Sequence, residues 1–443
     1  MGYRLQLLFD SYSAISGRRG SAKPLPTNRD REEPMARGIS FPGKPTSVYQ
    51  GKFAQFLLVF CFVFSPYGLR FVDSLWVSVD AQVAAAAETP SKGKQLLDEL
   101  VRKAKQEGEL IATIQSSWSK TLVQPIADAF RKRFGLDIKV TIANVNPALN
   151  TPQAIAETQS GAPATYDAVQ SDDAQTIQLV GAGGTQKIDG WEALLAEVNP
   201  LVRSGKVHPE QIGQGPLAGH SFTLMVNAKQ IIYNTRLISE TELPRTHREL
   251  TDPKYKGKFT QPPWTAHWDI APVAFEKFDR NEWLDVVRRA GRNAGSVLNE
   301  TNGVQRVILG EFAFVLAQDR YVRQILLKDP KVPIGYRFFD DYNALNGVYY
   351  SVRTRARHPA AGTLFALWMT TPDSQAVWQP TDLQAVPYGE SKIDRDFRLS
   401  IEKAKARVIG FLDNEKTVEL FQWYRTDEGR KYLDAMARAI RGE

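Results

Sequence analysis

Cysteine and histidine are scarce in this 443-residue sequence, and their scarcity removes several kinds of site. The single cysteine, Cys61, lies in an apolar N-terminal stretch, so the rest of the chain can form neither a disulfide nor a thiolate metal site. The five histidines are scattered, with no two within four residues of each other. The sequence also lacks G-x-S-x-G, H-E-x-x-H, P-loop and dinucleotide-binding glycine motifs. We therefore expect neither an enzyme nor a cofactor.

A concentrated positive charge is lacking as well. The formal net charge is +7, and residues 1–87 contribute ten Lys and Arg against six Asp and Glu. The remaining residues hold 46 basic and 43 acidic side chains, so the body of the chain is nearly balanced. Nucleic-acid binders concentrate basic residues on one face, and we expect no nucleic-acid partner. A hydrophobic fraction of 43% is ample for a folded core.

The N-terminal 87 residues have the pattern of a secretory leader. An apolar run of 12 residues, Phe53 to Phe64, follows basic residues and precedes a small-residue tract at Ala84 to Ala87. This order is typical of a signal peptide, and the run is too short to span a bilayer, which takes ~20 residues. The polar character of residues 1–34 favours a start at Met35. An amphipathic or buried helix remains the alternative.

From Lys94 the body alternates helical and extended patterns. Apolar residues at helical spacing end at Gly108, and the short apolar run from Leu110 to Ile114 predicts a buried strand. The same unit recurs, with a strand at 166–170 and a helix at 173–180. Strands that alternate with helices imply crossover units and a largely parallel sheet. In such sheets ligands bind beyond the carboxyl ends of the strands.

The ordered segments resemble the extracellular solute-binding family of ABC importers, in its ferric, polyamine and small-organic-solute branch. The likeness is carried by KQEGELIATIQSS at 105–117, by YDAVQSDD at 166–173, and by IIYNT at 231–235 with DPKYKGKFTQPP at 252–263. A later segment that starts at His358-Pro359 resembles the family as well. No single motif is diagnostic, but the ordered set extends over most of the body.

The resemblance implies an α/β, two-lobed type II periplasmic binding protein fold with two hinge crossover strands, near Met225 to Tyr233 and Val348 to Val352. Lobe 1 would comprise residues 94–226 plus 349–443, and lobe 2 residues 227–348. It further implies a periplasmic monomer that captures a small-molecule solute between its lobes and delivers it to an ABC permease in the inner membrane. A periplasmic sensing protein that presents its ligand to a membrane sensor is the alternative.

Ligand-binding residues of the first lobe are expected at strand ends. Ser116, Ser117 and Trp118 follow the first strand, and Asp172 and Asp173 follow the third. Hydroxyl and N–H groups at a helix start can hold a ligand. The same residues can also act as simple helix caps.

Loops of the predicted second lobe supply the other candidates. Trp264, His267 and Trp268 form an aromatic loop that can stack on a cation or an apolar solute, or can pack against its own lobe. Thr301 and Asn302 precede a predicted helix and can cap it or contact ligand.

The segment Asp319, Arg320 and Tyr321 bears on the kind of solute. Ferric-binding relatives have an iron-ligating Tyr-Tyr pair here, and the resemblance aligns that pair with Arg320 and Tyr321. A permanent guanidinium beside Fe³⁺ is electrostatically unfavourable, so we expect no metal. Arg320 can instead pair with an anionic solute, or with Asp319 or Glu311. The acidic pair at 340–341 keeps a cationic solute open.

Overall fold

The computed structural model describes residues 91–213, 215–410 and 415–443, so the predicted leader and Cys61 lie outside the described residues. Among the described residues, no helix combines the length and the apolar character that crossing a bilayer requires. The helices are α1 Lys92–Glu107, α2 Val123–Phe134, α3 Pro147–Ser160, α4 Asp173–Gly181, α5 Trp191–Val198, α6 Pro200–Arg203, α7 Ala271–Ala274, α8 Arg280–Asn293, α9 Glu300–Ile308, α10 Arg320–Lys328, α11 Pro359–Met369, α12 Pro372–Asp382, α13 Lys392–Ala404, α14 Glu415–Trp423 and α15 Asp427–Ile440. The strands are β1 Glu109–Gln115, β2 Lys139–Val145, β3 Ala168–Asp172, β4 Phe222–Asn234, β5 Phe259–Gln261, β6 Ser296–Val297, β7 Phe314–Gln318, β8 Ile334–Arg337, β9 Asn343–Val352 and β10 Val408–Gly410.

The helices and strands predicted for the first half of the body are present, although β3 lies two residues later than the strand predicted at 166–170. The predicted first helix ends at Gly108, which caps α1 in the left-handed conformation with φ of 70°. Pro125 lies in the first turn of α2, where its missing N–H leaves no helical hydrogen bond unmade. The chain passes from α1 into β1 and from α2 into β2, and β1 pairs in parallel with both β2 and β3.

The long strand β4 connects the two parts of the sheet, and β9 pairs beside its first half. The order is β2-β1-β3-β9-β4-β7-β5-β6, with β10 beside β9 and β8 beside β4. The first half of β4 pairs antiparallel with β9, and its second half pairs with β7 and β8. Strand β4 therefore passes from one part of the sheet to the other, as a crossover strand does. The expected crossovers at 225–233 and 348–352 lie within β4 and β9, although β9 begins five residues earlier than predicted.

Tyr349 and Tyr350 pack β9 against two different hydrophobic clusters. The Tyr350 hydroxyl donates to the main-chain oxygen of Thr113 at 2.9 Å, and the Tyr349 hydroxyl donates to Asp173 Oδ1 at 2.8 Å. Neighbouring residues of a strand point to opposite faces, so the pair packs into two different clusters. Both rings are buried and structural.

Two large hydrophobic clusters make up the core. The first cluster gathers β1, α2 and α11 around Phe130, Phe365 and Trp368. The second gathers β5, β7 and α8 around Trp268 and Trp283, and it also takes in side chains of α14 and α15. The lobe boundaries stay a prediction, but this packing is a reason to count residues 415–443 with the second lobe rather than the first.

The contact between α8 and α15 depends on Gly291. A Cβ at this position would come within 2.7 Å of both the Ile440 carbonyl oxygen and the Gly442 nitrogen. Overpacking of this kind costs ~1–3 kcal/mol, so we expect Gly291→Ala to lower the unfolding free energy by that amount in urea titrations. Gly362→Ala, whose nearest contact is 3.3 Å, is the matched control and should cost clearly less. Equal stability of the two variants would contradict the close approach.

Candidate functional site

A cavity of about 530 Å³ opens where the strands of both parts of the sheet end. From the first part, Gln115 and Asp172 stand at the ends of β1 and β3. From the second part, Gln318 ends β7, and Arg320 begins α10. The crossover strands complete the wall with Asn227 and Lys229 of β4 and Asn346 and Val348 of β9. The volume lies within the range of small-molecule sites, ~300–1,000 Å³.

Several of the predicted site residues line this cavity. The lining includes residues from both predicted strand ends. It also includes one aromatic residue of the loop after β5 and residues at the start of α10. Trp264 is 41% exposed and presents its ring at the cavity wall. The lining members of the predicted set are Ser116, Ser117, Asp172, Asp173, Trp264, Arg320 and Tyr321.

Three predicted aromatic contacts do not line the cavity, because each ring is buried in a core. Trp118 is 2% exposed and stacks on Trp378, with ring centroids 5.2 Å apart. Trp268 is 1% exposed and packs against Trp283. His267 is equally buried, and burial lowers the pKa of its imidazole to about 4, which keeps the ring neutral. The loop aromatics thus mostly pack their own part of the molecule.

Thr301, Asn302 and Asp319 also lie outside the cavity lining, and each has a structural partner. The main-chain N–H of Asn302 donates to the cap residue of α9. The Thr301 hydroxyl lies 3.2 Å from that of Tyr321. Asp319 accepts from the Ala228 main-chain N–H at 2.9 Å and pairs with Arg323 at 2.6 Å. Asp319 therefore joins α10 to β4 instead of facing a solute.

The two cations of the cavity are already neutralised. Lys229 Nζ lies 2.8 Å from Glu300 Oε1, and both side chains are less than 5% exposed. Burial raises the pKa of the Glu300 carboxyl, but the Lys229 charge and His267 outweigh it, and the pKa falls to about 2. Arg320 Nη1 lies 3.7 Å from Asp382 Oδ1. The prediction that Arg320 holds an anionic solute is weakened, since its charge faces a buried carboxylate.

Three carboxyl groups of the cavity have no ion-pair partner of this kind among the described residues. Asp172, Asp173 and Asp269 form no ion pair with any side chain in the described part of the protein. Burial raises the pKa of all three, and that of Asp269 rises to about 6. Asp173 is satisfied by hydrogen bonds from Tyr349 and the Gly347 N–H, both at 2.8 Å. Asp269 receives one bond, from Thr265 at 2.8 Å to Oδ2, and its Oδ1 has no partner among the described residues.

The residues that dominate this electrostatic pattern are not among those predicted from the sequence. Lys229 was visible as the single charge in an otherwise apolar or amide-bearing strand, β4, and that was a usable signal. Asp269 follows a buried tryptophan in a loop, and Gln384 follows the end of α12. No periodicity marks these two positions, because only the folding of the chain brings them to the cavity.

Three comparisons with known proteins bear on this site. The family model for bacterial extracellular solute-binding proteins matches residues 125–387, which is more than half of the chain. A comparison with curated proteins gives no match.

Solved structures of similar fold cover about three quarters of the chain. An apo ferric ion-binding protein A from Pasteurella haemolytica has 15% identity and a TM-score of 0.57, with 76% of this chain and 99% of that chain covered. Iron-bound HitA from Pseudomonas aeruginosa has 15% identity and a TM-score of 0.56, with 75% and 99% covered. The substrate-binding protein of an ABC transporter from Agrobacterium tumefaciens has 15% identity and a TM-score of 0.55, with 76% and 97% covered.

At these identities the structural likeness concerns the fold, and it confirms the predicted α/β periplasmic binding protein fold. The family match adds the kind of function, since the members of this family bind solutes and are not enzymes. Together with the cavity at the strand ends, these findings place the chain: it belongs to the family of bacterial extracellular solute-binding proteins.

Proposed function

We propose that this protein is the periplasmic receptor of an ABC importer, exported by its N-terminal leader, and that it passes a small cationic solute to a membrane permease. The family match supports the receptor role, and one structure of similar fold is the substrate-binding protein of an ABC transporter. The apolar run at 53–64 supports export.

The observation that carries the choice of solute is the set of cavity carboxylates that lack an ion-pair partner. Lys229 and Arg320 each have a carboxylate partner, whereas Asp172 and Asp269 form no ion pair with any described side chain. A buried carboxylate without a cation is costly, and a bound ammonium group offsets that cost. An anionic solute would add a further negative charge to the same space.

The uncharged groups of the wall also suit a donor-rich solute. Buried amide oxygens without a hydrogen-bond partner among the described residues occur at Gln175, Asn227, Gln318 and Asn346, all of which line the cavity. Each unmade bond costs free energy that an N–H donor can recover. Trp264 adds an aromatic surface on which an alkylammonium group can stack.

Solute capture would work by closure of the two lobes. Side chains from both parts of the sheet face one cavity, so a solute that bridges them stabilises the closed arrangement over an open one. The crossover strands β4 and β9 are the elements about which such a hinge motion would occur. For this mechanism we assign residues 94–226 and 349–410 to lobe 1, and residues 227–348 with 415–443 to lobe 2.

A thermal-shift comparison of matched six-carbon probes tests the proposal. Hexylamine, hexanoate and 1-hexanol share a chain length and differ in charge. We expect hexylamine to raise the melting temperature by several degrees, because a ligand at a hundredfold excess over Kd stabilises the folded state by ~2.7 kcal/mol. Hexanoate and hexanol should give smaller shifts. A larger shift with hexanoate than with hexylamine would overturn the cationic assignment.

A further inference from the structure

A second cavity of about 760 Å³ adjoins the solute cavity. The two share Ala174, Thr265, Asp269 and Phe421 in their walls, so they lie next to each other at this group of residues. The far part of the second cavity is formed by the end of α4, the end of α14 and the start of α15. Asp269 therefore borders both cavities.

Asp269 stands at the junction of the two cavities. It is 7% exposed, and its Oδ1 has no hydrogen-bond partner among the described residues. Its main-chain oxygen accepts a hydrogen bond from the Tyr424 hydroxyl, which fixes the loop that carries it to the end of α14. The unpartnered oxygen thus belongs to a rigid wall and can receive a donor from a solute that lies across the junction.

Arg425, the residue after Tyr424, supplies a positive charge to the second cavity. Its guanidinium lies against Gly181 at the end of α4. Within the described ranges no carboxylate forms an ion pair with it, whereas the neighbouring Arg430 pairs with Asp427. Asp269 and Arg425 both line the second cavity, so a single solute can contact the two side chains.

We propose that the solute is an elongated zwitterion, with an ammonium group at Asp269 and an anionic group at Arg425. This inference rests on the proposed function, since the ammonium occupies the cationic position assigned above. The guanidinium offers paired donors that fit an acid group. A solute of this kind places opposite charges at two side chains that form no ion pair within the described part of the chain.

Calorimetric titration of a chain-length series tests the proposal. The probes are 4-aminobutanoate, 6-aminohexanoate and 8-aminooctanoate, each compared with the amine of equal length. We expect one of the amino acids to bind about tenfold more tightly than its amine, because a charge-assisted pair is added. Arg425→Gln should abolish this advantage and leave the affinity for the amine unchanged.

Two further variants keep the result interpretable. Lys431→Gln removes the same charge from an exposed position of α15 that does not line either cavity, and it should retain the tenfold advantage. Gly181→Ala adds a methyl group where the Arg425 guanidinium lies, and it should reduce the advantage while the arginine is kept. Amines that bind the protein at least as tightly as every amino acid would overturn the zwitterion and leave the proposed function intact. Failure of every amine to bind would overturn both.

Discussion

Glu300→Ala is expected to lower the free energy of unfolding by about 3–5 kcal/mol, the largest loss of stability that we predict. The substitution leaves the Lys229 ammonium buried, only 4% exposed, without the carboxylate that lies 2.8 Å from it. A charge in that position is largely shielded from water and has lost its paired carboxylate, and unfolding restores its hydration. Urea-induced unfolding followed by circular dichroism measures the change.

The double variant Lys229→Met with Glu300→Leu tests whether the loss of stability comes from leaving one charge of the pair without its partner. Removal of both charges leaves an apolar contact of similar volume, so the double variant should be more stable than either single variant. If the double variant is destabilised by the sum of the two single effects, the two residues do not act as a pair.

The pH dependence of the unfolding free energy is a second test of this pair. The lowered pKa of Glu300 means that its contribution is complete above pH 4.5 and is lost as the pH falls towards 2.

Asp269→Asn is expected to weaken hexylamine binding about a hundredfold. The replacement keeps the shape of the side chain, and the amide oxygen can still accept the hydrogen bond from Thr265. It removes the negative charge that would pair with an ammonium group at this buried position. Calorimetric titration at pH 7.5 measures the loss. Asp279→Asn, at an exposed helix cap outside both cavities, removes an equal charge and should leave the affinity unchanged.

The pH dependence of the same titration gives an independent reading. Burial raises the pKa of Asp269 to about 6, so the carboxyl takes up a proton as the pH falls through 6. Hexylamine affinity should therefore fall about tenfold between pH 7.5 and pH 5. The pKa of Asp382 is also about 6, and its protonation would leave Arg320 uncompensated and act in the same direction. In the Asp269→Asn variant, hexylamine affinity should change with pH only by the smaller amount that Asp382 contributes. An affinity of the unmodified protein that does not change between pH 7.5 and pH 5 would contradict the role of Asp269.

The fold was predictable because its signals are local. The glycine at 108 ends a helix, the apolar run at 110–114 is a strand, and the extended stretch at 222–233 is long enough to serve two parts of a sheet. These patterns depend on spacing along the chain, which the sequence displays directly. The family resemblance supplied the topology that spacing alone does not determine.

The site was predictable only in part, for a physical reason. The rule that ligands lie beyond strand ends named Ser116 and Asp172, and both line the cavity, because a strand end can be located in the sequence. Arg320 also lines the cavity, and it was named through the family resemblance. The tryptophans at 118 and 268 do not line it, since a large ring near a loop gains more by burial in a core than by exposure. Compensation of charge was invisible, because the partner of Lys229 is 71 residues away in the chain.

A crystal structure of the protein grown with whichever of hexylamine and 6-aminohexanoate raises its melting temperature more would test the central claim most directly. We predict the ammonium nitrogen within hydrogen-bond distance of Asp269 Oδ1, with the chain of hexylamine beside Trp264 or the carboxylate of 6-aminohexanoate at Arg425. It also predicts side chains from both parts of the sheet in contact with the solute. A solute bound outside this cavity, or with its ammonium group turned away from Asp269, would contradict the account.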